Sequence, residues 1–113
     1  MQKILNYING AYCEPHSGKW LDNYNPSNGE VYSQIANSDA TDIANAYEAA
    51  KEAFPIWSNT TIEERSRILL KIADLIEEKM VDLAKAEAKD NGKPLNLALT
   101  VDIPRASSNF RFF

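Results

Sequence analysis

"NYNPSNGEVYSQIANSDATDIANAYEAAKEAFPIW", residues 23–57, changes its hydrophobic period once, near Ser38. Before that point Val31, Ser33 and Ile35 alternate with Tyr32 and Gln34, the period-two pattern of a strand with two faces. Asn25-Pro26 and Asn28-Gly29 are turn pairs that introduce it. After that point Ile43, Ala46, Tyr47, Ala50, Ala53, Phe54 and Trp57 recur at helical spacing. Asp39, with Asp42 three residues on, suits an N-cap, and Pro55 is expected to strain or end the last turn. A strand that leads directly into an amphipathic helix makes the chain α/β.

The neighbouring segments extend that reading in both directions. "ILNYINGAYCE" alternates around Asn9-Gly10, a two-residue hairpin signal. "TIEE" at 61–64 has the form of a capping box, Thr61 with Glu64. It opens one long helix with Ile68, Leu69, Ile72, Leu75, Ile76 and Leu83 on a single stripe. Gly92 is its expected C-cap, and Pro94 follows as punctuation. A last helix is expected to start near "DIPR", with Asp102 as cap and Pro104 in the first turn. The sequence therefore predicts a β-hairpin and strands followed by two or three α-helices.

Composition narrows the function. The chain has 113 residues, suited to one small domain, and a formal net charge of -4. No basic stripe supports a nucleic-acid partner. "MQKILNYING" reads as neither a signal peptide nor an anchor, and no apolar run approaches the roughly 20 residues of a membrane helix. Cys13 is the single cysteine, so no internal disulfide forms, which fits a reducing compartment.

Familiar catalytic patterns are absent. The sequence contains no G-x-G-x-x-G and no Walker loop. His16 has no second His or Cys near it and reads as a surface residue. Cys13 lies between Tyr12 and Glu14 in an expected strand, and a neighbouring acid disfavours a thiolate. Glu63/Glu64 and Glu77/Glu78 are adjacent on helices, so the members of each pair do not face each other.

"KDNGKP", residues 89–94, is more informative. A C-cap turn accounts for Gly92 and Pro94 but not for Asp90. A carboxylate beside the carbonyls of a helix end is unfavourable by the helix dipole, and a bound cation would remove that penalty. Arg105 and Arg111 flank the last helix. Each reads either as a surface arginine or as a two-pronged carboxylate binder.

Taken together, "YINGAY", the 23–57 stretch, "ERSRILLKIADLIEEK", "DNGKP" and "DIPRASSNFRFF" resemble, in order and spacing, the amino-terminal region of NAD(P)-dependent aldehyde dehydrogenases. The likeness runs over essentially the whole chain. Its ending resembles the branch acting on muconic semialdehydes of the aminomuconate or hydroxymuconate type. The resemblance implies the amino-terminal part of the cofactor-binding domain, residues 1–113, in a fragment of a longer enzyme. That enzyme oxidises an aldehyde to its acid with NAD or NADP, is cytoplasmic, and is a homodimer or homotetramer. The family's nucleophile, base, oxyanion-hole asparagine and cofactor loop lie downstream of the matched stretch, so no catalytic or cofactor-binding residue is assigned and the chain alone is expected to be inactive. What carries over is a structural monovalent cation at Asn23, Tyr24 and Asp90, and Arg105 near a substrate carboxylate. The competing expectations are a stand-alone, non-catalytic helical interaction module, which would call for a more polar ending than "FRFF", and a plain structural domain.

Overall fold

The computed structural model describes residues 1–113, which divide into two compact units. The first unit comprises Met1–Tyr24 and Gly29–Asn59. Its three-stranded sheet has β5 (Val31–Ala36) in the middle, paired parallel to β1 (Gln2–Ile4) and antiparallel to β4 (Trp20–Tyr24). Between β1 and β4 the chain forms a separate hairpin, β2 (Asn6–Ile8) and β3 (Ala11–Cys13). Asn9 and Gly10 both take positive φ, 53° and 78°. That is the turn whose twist matches the flanking strands, and it explains why Asn-Gly stands there. Tyr7 and Tyr12 face each other directly across the hairpin, ring edge to ring face at 5.0 Å. The alternation expected of β5 is present in part: Ser33 is fully buried, whereas Ile35, predicted on the same face, is exposed.

The first helix, α1 (Ala40–Ser58), begins at the predicted cap. Asp39 accepts the amides of Thr41 and Asp42, and the Asp42 carboxylate accepts the amide of Asp39. Pro55 does not end the helix, which continues to Ser58. The missing proline N–H leaves only the Lys51 carbonyl without its helical donor, within the final turns, where little helix remains to be lost. The Asn59 side chain then closes the end by donating to the Pro55 carbonyl at 2.7 Å. The predicted apolar stripe of α1 is exposed nearly throughout, with Ile43 at 67% and Phe54 at 65%.

The second unit comprises Asn25–Asn28 and Thr60–Phe113. Only half of the expected capping box forms. The Thr61 hydroxyl accepts the Glu64 amide, but the Glu64 carboxylate turns instead to Arg67. The single long helix expected after it is two helices, α2 (Ile62–Glu78) and α3 (Met80–Asn91), broken at Lys79. Lys79 adopts φ −99°, ψ 17° with neither proline nor glycine nearby, so no local signal marks the break. Gly92 ends α3 in the left-handed conformation, φ 79°, as expected. A Cβ added there would meet the Pro26 ring at 3.1 Å. The "NP" and "DNGKP" motifs therefore touch each other within this unit.

The end of the chain departs most from expectation. Helix resumes at α4 (Leu95–Leu97), widens into a π turn over Ala98–Asp102, and continues as α5 (Ile103–Phe112). The Ile103 amide reaches back five residues to the Ala98 carbonyl. Asp102 is itself helical, with φ −67° and ψ −53°, and caps nothing with its side chain. Pro104 does stand in the first turn of α5. The buried hydrophobic residues are all small: Ala73 on α2, Ala84 on α3 and Ala98 in the π turn. Ser107 on α5 is buried with them. Small side chains let the backbones approach closely, and a larger residue at such a site costs about 1–3 kcal/mol of strain. No helix is long and apolar enough to cross a membrane.

Candidate functional site

Helix α5 carries both candidate arginines and gives them different surroundings. Arg111 donates its Nε and Nη2 to the two Glu77 oxygens at 3.0 and 2.9 Å, and Nη2 also reaches Asp74 at 2.7 Å. Ser107 sits one turn before it, and its hydroxyl proton goes to Glu77 Oε1 at 2.6 Å; the Ala73 carbonyl at 3.4 Å is the weaker acceptor. Arg111 thus uses its two-pronged geometry on carboxylates of α2 and fastens α5 to it. Arg111 first, then Ser107, hold the Glu77 carboxyl below its ordinary range. In return, Glu77 first and then Asp74 raise the Arg111 guanidinium. The Glu77/Glu78 pair is therefore not merely a solvated surface, because Glu77 joins two helices.

Arg105, two turns earlier, is exposed and makes no ion pair or side-chain hydrogen bond. Asp102 lies one turn before it. Its carboxylate is bound by Lys93 Nζ at 2.8 Å, and the same ammonium is 4.0 Å from Glu87. Hydrogen bonding to Asp102 holds the Lys93 ammonium above its ordinary range. Lys93 comes within reach because the left-handed turn at Gly92 reverses the chain after α3, and its own amide is fixed by Asn91 Oδ1 at 2.9 Å.

The residues expected to hold a cation divide between the units. In the first, Asn23 and Tyr24 lie at the end of β4, where the register against β5 slips between them. The Asn23 amide donates to the Tyr32 hydroxyl at 2.9 Å and to Ser33 at 3.2 Å. In the second, Asp90 is exposed in the last turn of α3. Carboxylate and carbonyl oxygens suit a hard cation in type. No group of three or more His, Cys, Asp or Glu side chains is placed to hold a metal.

His16, read as a surface residue, has a defined role in the first unit. Its amide donates to Asp42 at 2.9 Å and its Nδ1 lies 3.0 Å from Asp39. The preceding loop is thereby tied to the cap of α1. The sequence separation of 23 residues to Asp39 hides this pairing. Cys13 is a free, half-buried strand residue opposite Asn6.

The sequence pattern that defines the aldehyde dehydrogenase family matches residues 12–113. Human 2-aminomuconic semialdehyde dehydrogenase is 49% identical over 110 residues, 97% of this chain and 22% of that protein. An aldehyde dehydrogenase of Deinococcus radiodurans is 45% identical over 108 residues, 96% of this chain and 21% of that one. The structure of the Bacillus cereus aldehyde dehydrogenase in its NAD+ complex superposes with a TM-score of 0.94 at 38% identity, covering 98% of this chain and 23% of that one. The chain belongs to the aldehyde dehydrogenase family, has the amino-terminal part of its fold, and spans about a fifth of the length of these relatives.

One consequence of the His16 geometry is measurable. The hydrogen bond to Asp39, then its charge, raise His16 above the ordinary 6.5, and the same bond lowers Asp39 below 3.8. A raised histidine stabilises the fold fully below its unfolded value, and that contribution is lost as pH rises through the folded value. A lowered carboxyl contributes above its unfolded value and loses that contribution as pH falls through the folded one. The pair is thus strongest in the window between the two. The NMR titration of His16 should have its midpoint above 6.5 and move down in Asp39→Asn; a midpoint at or below 6.5 in the unmodified protein would contradict the pairing.

Proposed function

We propose that this member of the aldehyde dehydrogenase family forms residues 1–113 of the cofactor-binding domain of a longer enzyme. That enzyme oxidises an acidic, muconic-type semialdehyde to the corresponding dicarboxylic acid. The observation that carries the substrate class is the contrast on α5. Arg111 is fully engaged by Glu77 and Asp74, whereas Arg105 is exposed and unengaged. An arginine fork without an internal carboxylate suits an external one. The similarity to a protein named for a semialdehyde substrate supports the same reading.

NAD or NADP, bound by parts of the enzyme outside these residues, would supply the hydride acceptor, as NAD+ accompanies the Bacillus cereus relative. No catalytic or cofactor-binding residue is assigned within 1–113. The part played by this chain is to orient the substrate through Arg105 and to brace the surrounding helices. The parent is proposed to be a cytoplasmic homodimer or homotetramer with no nucleic-acid or membrane partner. A structural monovalent cation at the carbonyls of Asn23 and Tyr24 and the carboxylate of Asp90 is proposed from the family resemblance.

Two tests separate these proposals. In the full-length enzyme, Arg105→Ala should raise KM for an acidic semialdehyde by about ten- to a hundredfold, the worth of a charge-assisted hydrogen-bonded contact. KM for a neutral aldehyde should change little; equal effects on both would exclude Arg105 as the carboxylate site. For the cation, the thermal midpoint should be higher in potassium or sodium chloride than in choline chloride at equal ionic strength. Asp90→Asn should abolish that difference. Identical midpoints in all three salts would rule the cation out.

A further inference from the structure

The pairing of Asp102 with Lys93 bears directly on Arg105, and the inference rests on the reading of Arg105 as a carboxylate binder. An acid three residues before an arginine on a helix is placed to pair with it. The same chain shows this at Glu64 and Arg67, where Nη2 and Nε meet the carboxylate at 2.7 and 3.1 Å. Asp102 and Arg105 have the same spacing, the same order and helical backbone at Asp102, yet they do not pair. Asp102 is held instead by Lys93, whose ammonium binds its carboxylate at 2.8 Å. The Lys93 and Asp102 side chains are 39% and 26% exposed, more sheltered than Arg67 and Glu64 at 67% and 44%.

Removing the ammonium would have two effects in the same direction. Asp102 would be released to capture Arg105 within the helix, competing with any external carboxylate. It would also leave an uncompensated negative charge one turn from the arginine, which repels an anionic ligand. With Lys93 in place the two charges cancel and Arg105 remains a net cation. We propose that Lys93 is a specificity-determining positioning residue, which holds Asp102 so that Arg105 stays available to a substrate carboxylate.

A double-mutant cycle in the full-length enzyme tests this, with steady-state kinetics on one acidic semialdehyde and one neutral aldehyde. Lys93→Met should raise KM for the acidic substrate by about two- to fivefold, the range of exposed ion pairs. Neither kcat nor the neutral substrate should change. Asp102→Asn alone should leave both substrates near wild type. Combining Lys93→Met with Asp102→Asn should restore the acidic KM, because the competing carboxylate is gone; a merely structural role for Lys93 would give no such rescue. If Lys93→Met does not fold, Lys93→Gln, which keeps a stem and an N–H donor without the charge, should raise the acidic KM in the same direction by a smaller factor. Equal effects on both substrates, no effect on either, or failure of the double variant to recover would overturn the proposal. Arg105→Ala, measured alongside, separates the two levels. If it shows no selectivity for the acidic substrate, the carboxylate reading fails and this inference with it. If it is selective while Lys93→Met is not, this inference alone fails.

Discussion

Ala73, Ala84, Ala98 and Ser107 have almost no exposed surface, and the rest of the second unit depends on how closely they let α2, α3, the π turn and α5 approach. Small side chains at these positions bring the Ser107 hydroxyl within 2.6 Å of Glu77 and place Arg111 one turn on, against Asp74 and Glu77. Such charged contacts at a partly exposed surface add little stability in water. Their role here is geometric: they fix the rotation of α5, and with it the side of the helix on which Arg105 stands. The Gly92 turn performs the complementary task by carrying Lys93 back to Asp102.

The charges near α5 are thus sorted by what each can reach. Arg111 is engaged by α2 and Asp102 by Lys93, while Arg105 is left over. On the proposed reading of Arg105, a recognition residue must avoid its own acidic neighbours before it can meet a ligand. The Glu64–Arg67 pair shows an acid and an arginine meeting at this spacing elsewhere in the unit.

Local chemistry made much of this legible. Asn9-Gly10 dictated the hairpin, Asp39 with Asp42 the start of α1, and Gly92 the end of α3, because each is a short-range conformational requirement. Competing local patterns misled elsewhere. The break at Lys79 interrupts a continuous apolar stripe without a glycine or proline to announce it. Asp102 before Pro104 imitates a helix start, yet the helix begins at Leu95 and passes through a π turn. Thr61 and Glu64 have the spacing of a full capping box, but Arg67 draws the carboxylate away. The roles of the two arginines could not be separated by sequence alone, because the partners of Arg111 lie 34 and 37 residues earlier. The role of His16 was hidden for the same reason.

Large apolar side chains remain open to solvent on both units. Ile43, Tyr47, Phe54 and Ile56 lie along α1, and Phe112 and Phe113, at 82% and 87% exposure, end the chain. Covering such a residue is worth about 1.5–3 kcal/mol, so faces of this size favour burial against further protein surface. The central claim is that these residues are one part of a larger aldehyde dehydrogenase. The intact mass of the polypeptide isolated from its native source tests it most directly. The account predicts a mass several times the 12.7 kDa of these residues, in line with relatives of which they span 22%. A native product of 12.7 kDa would contradict it.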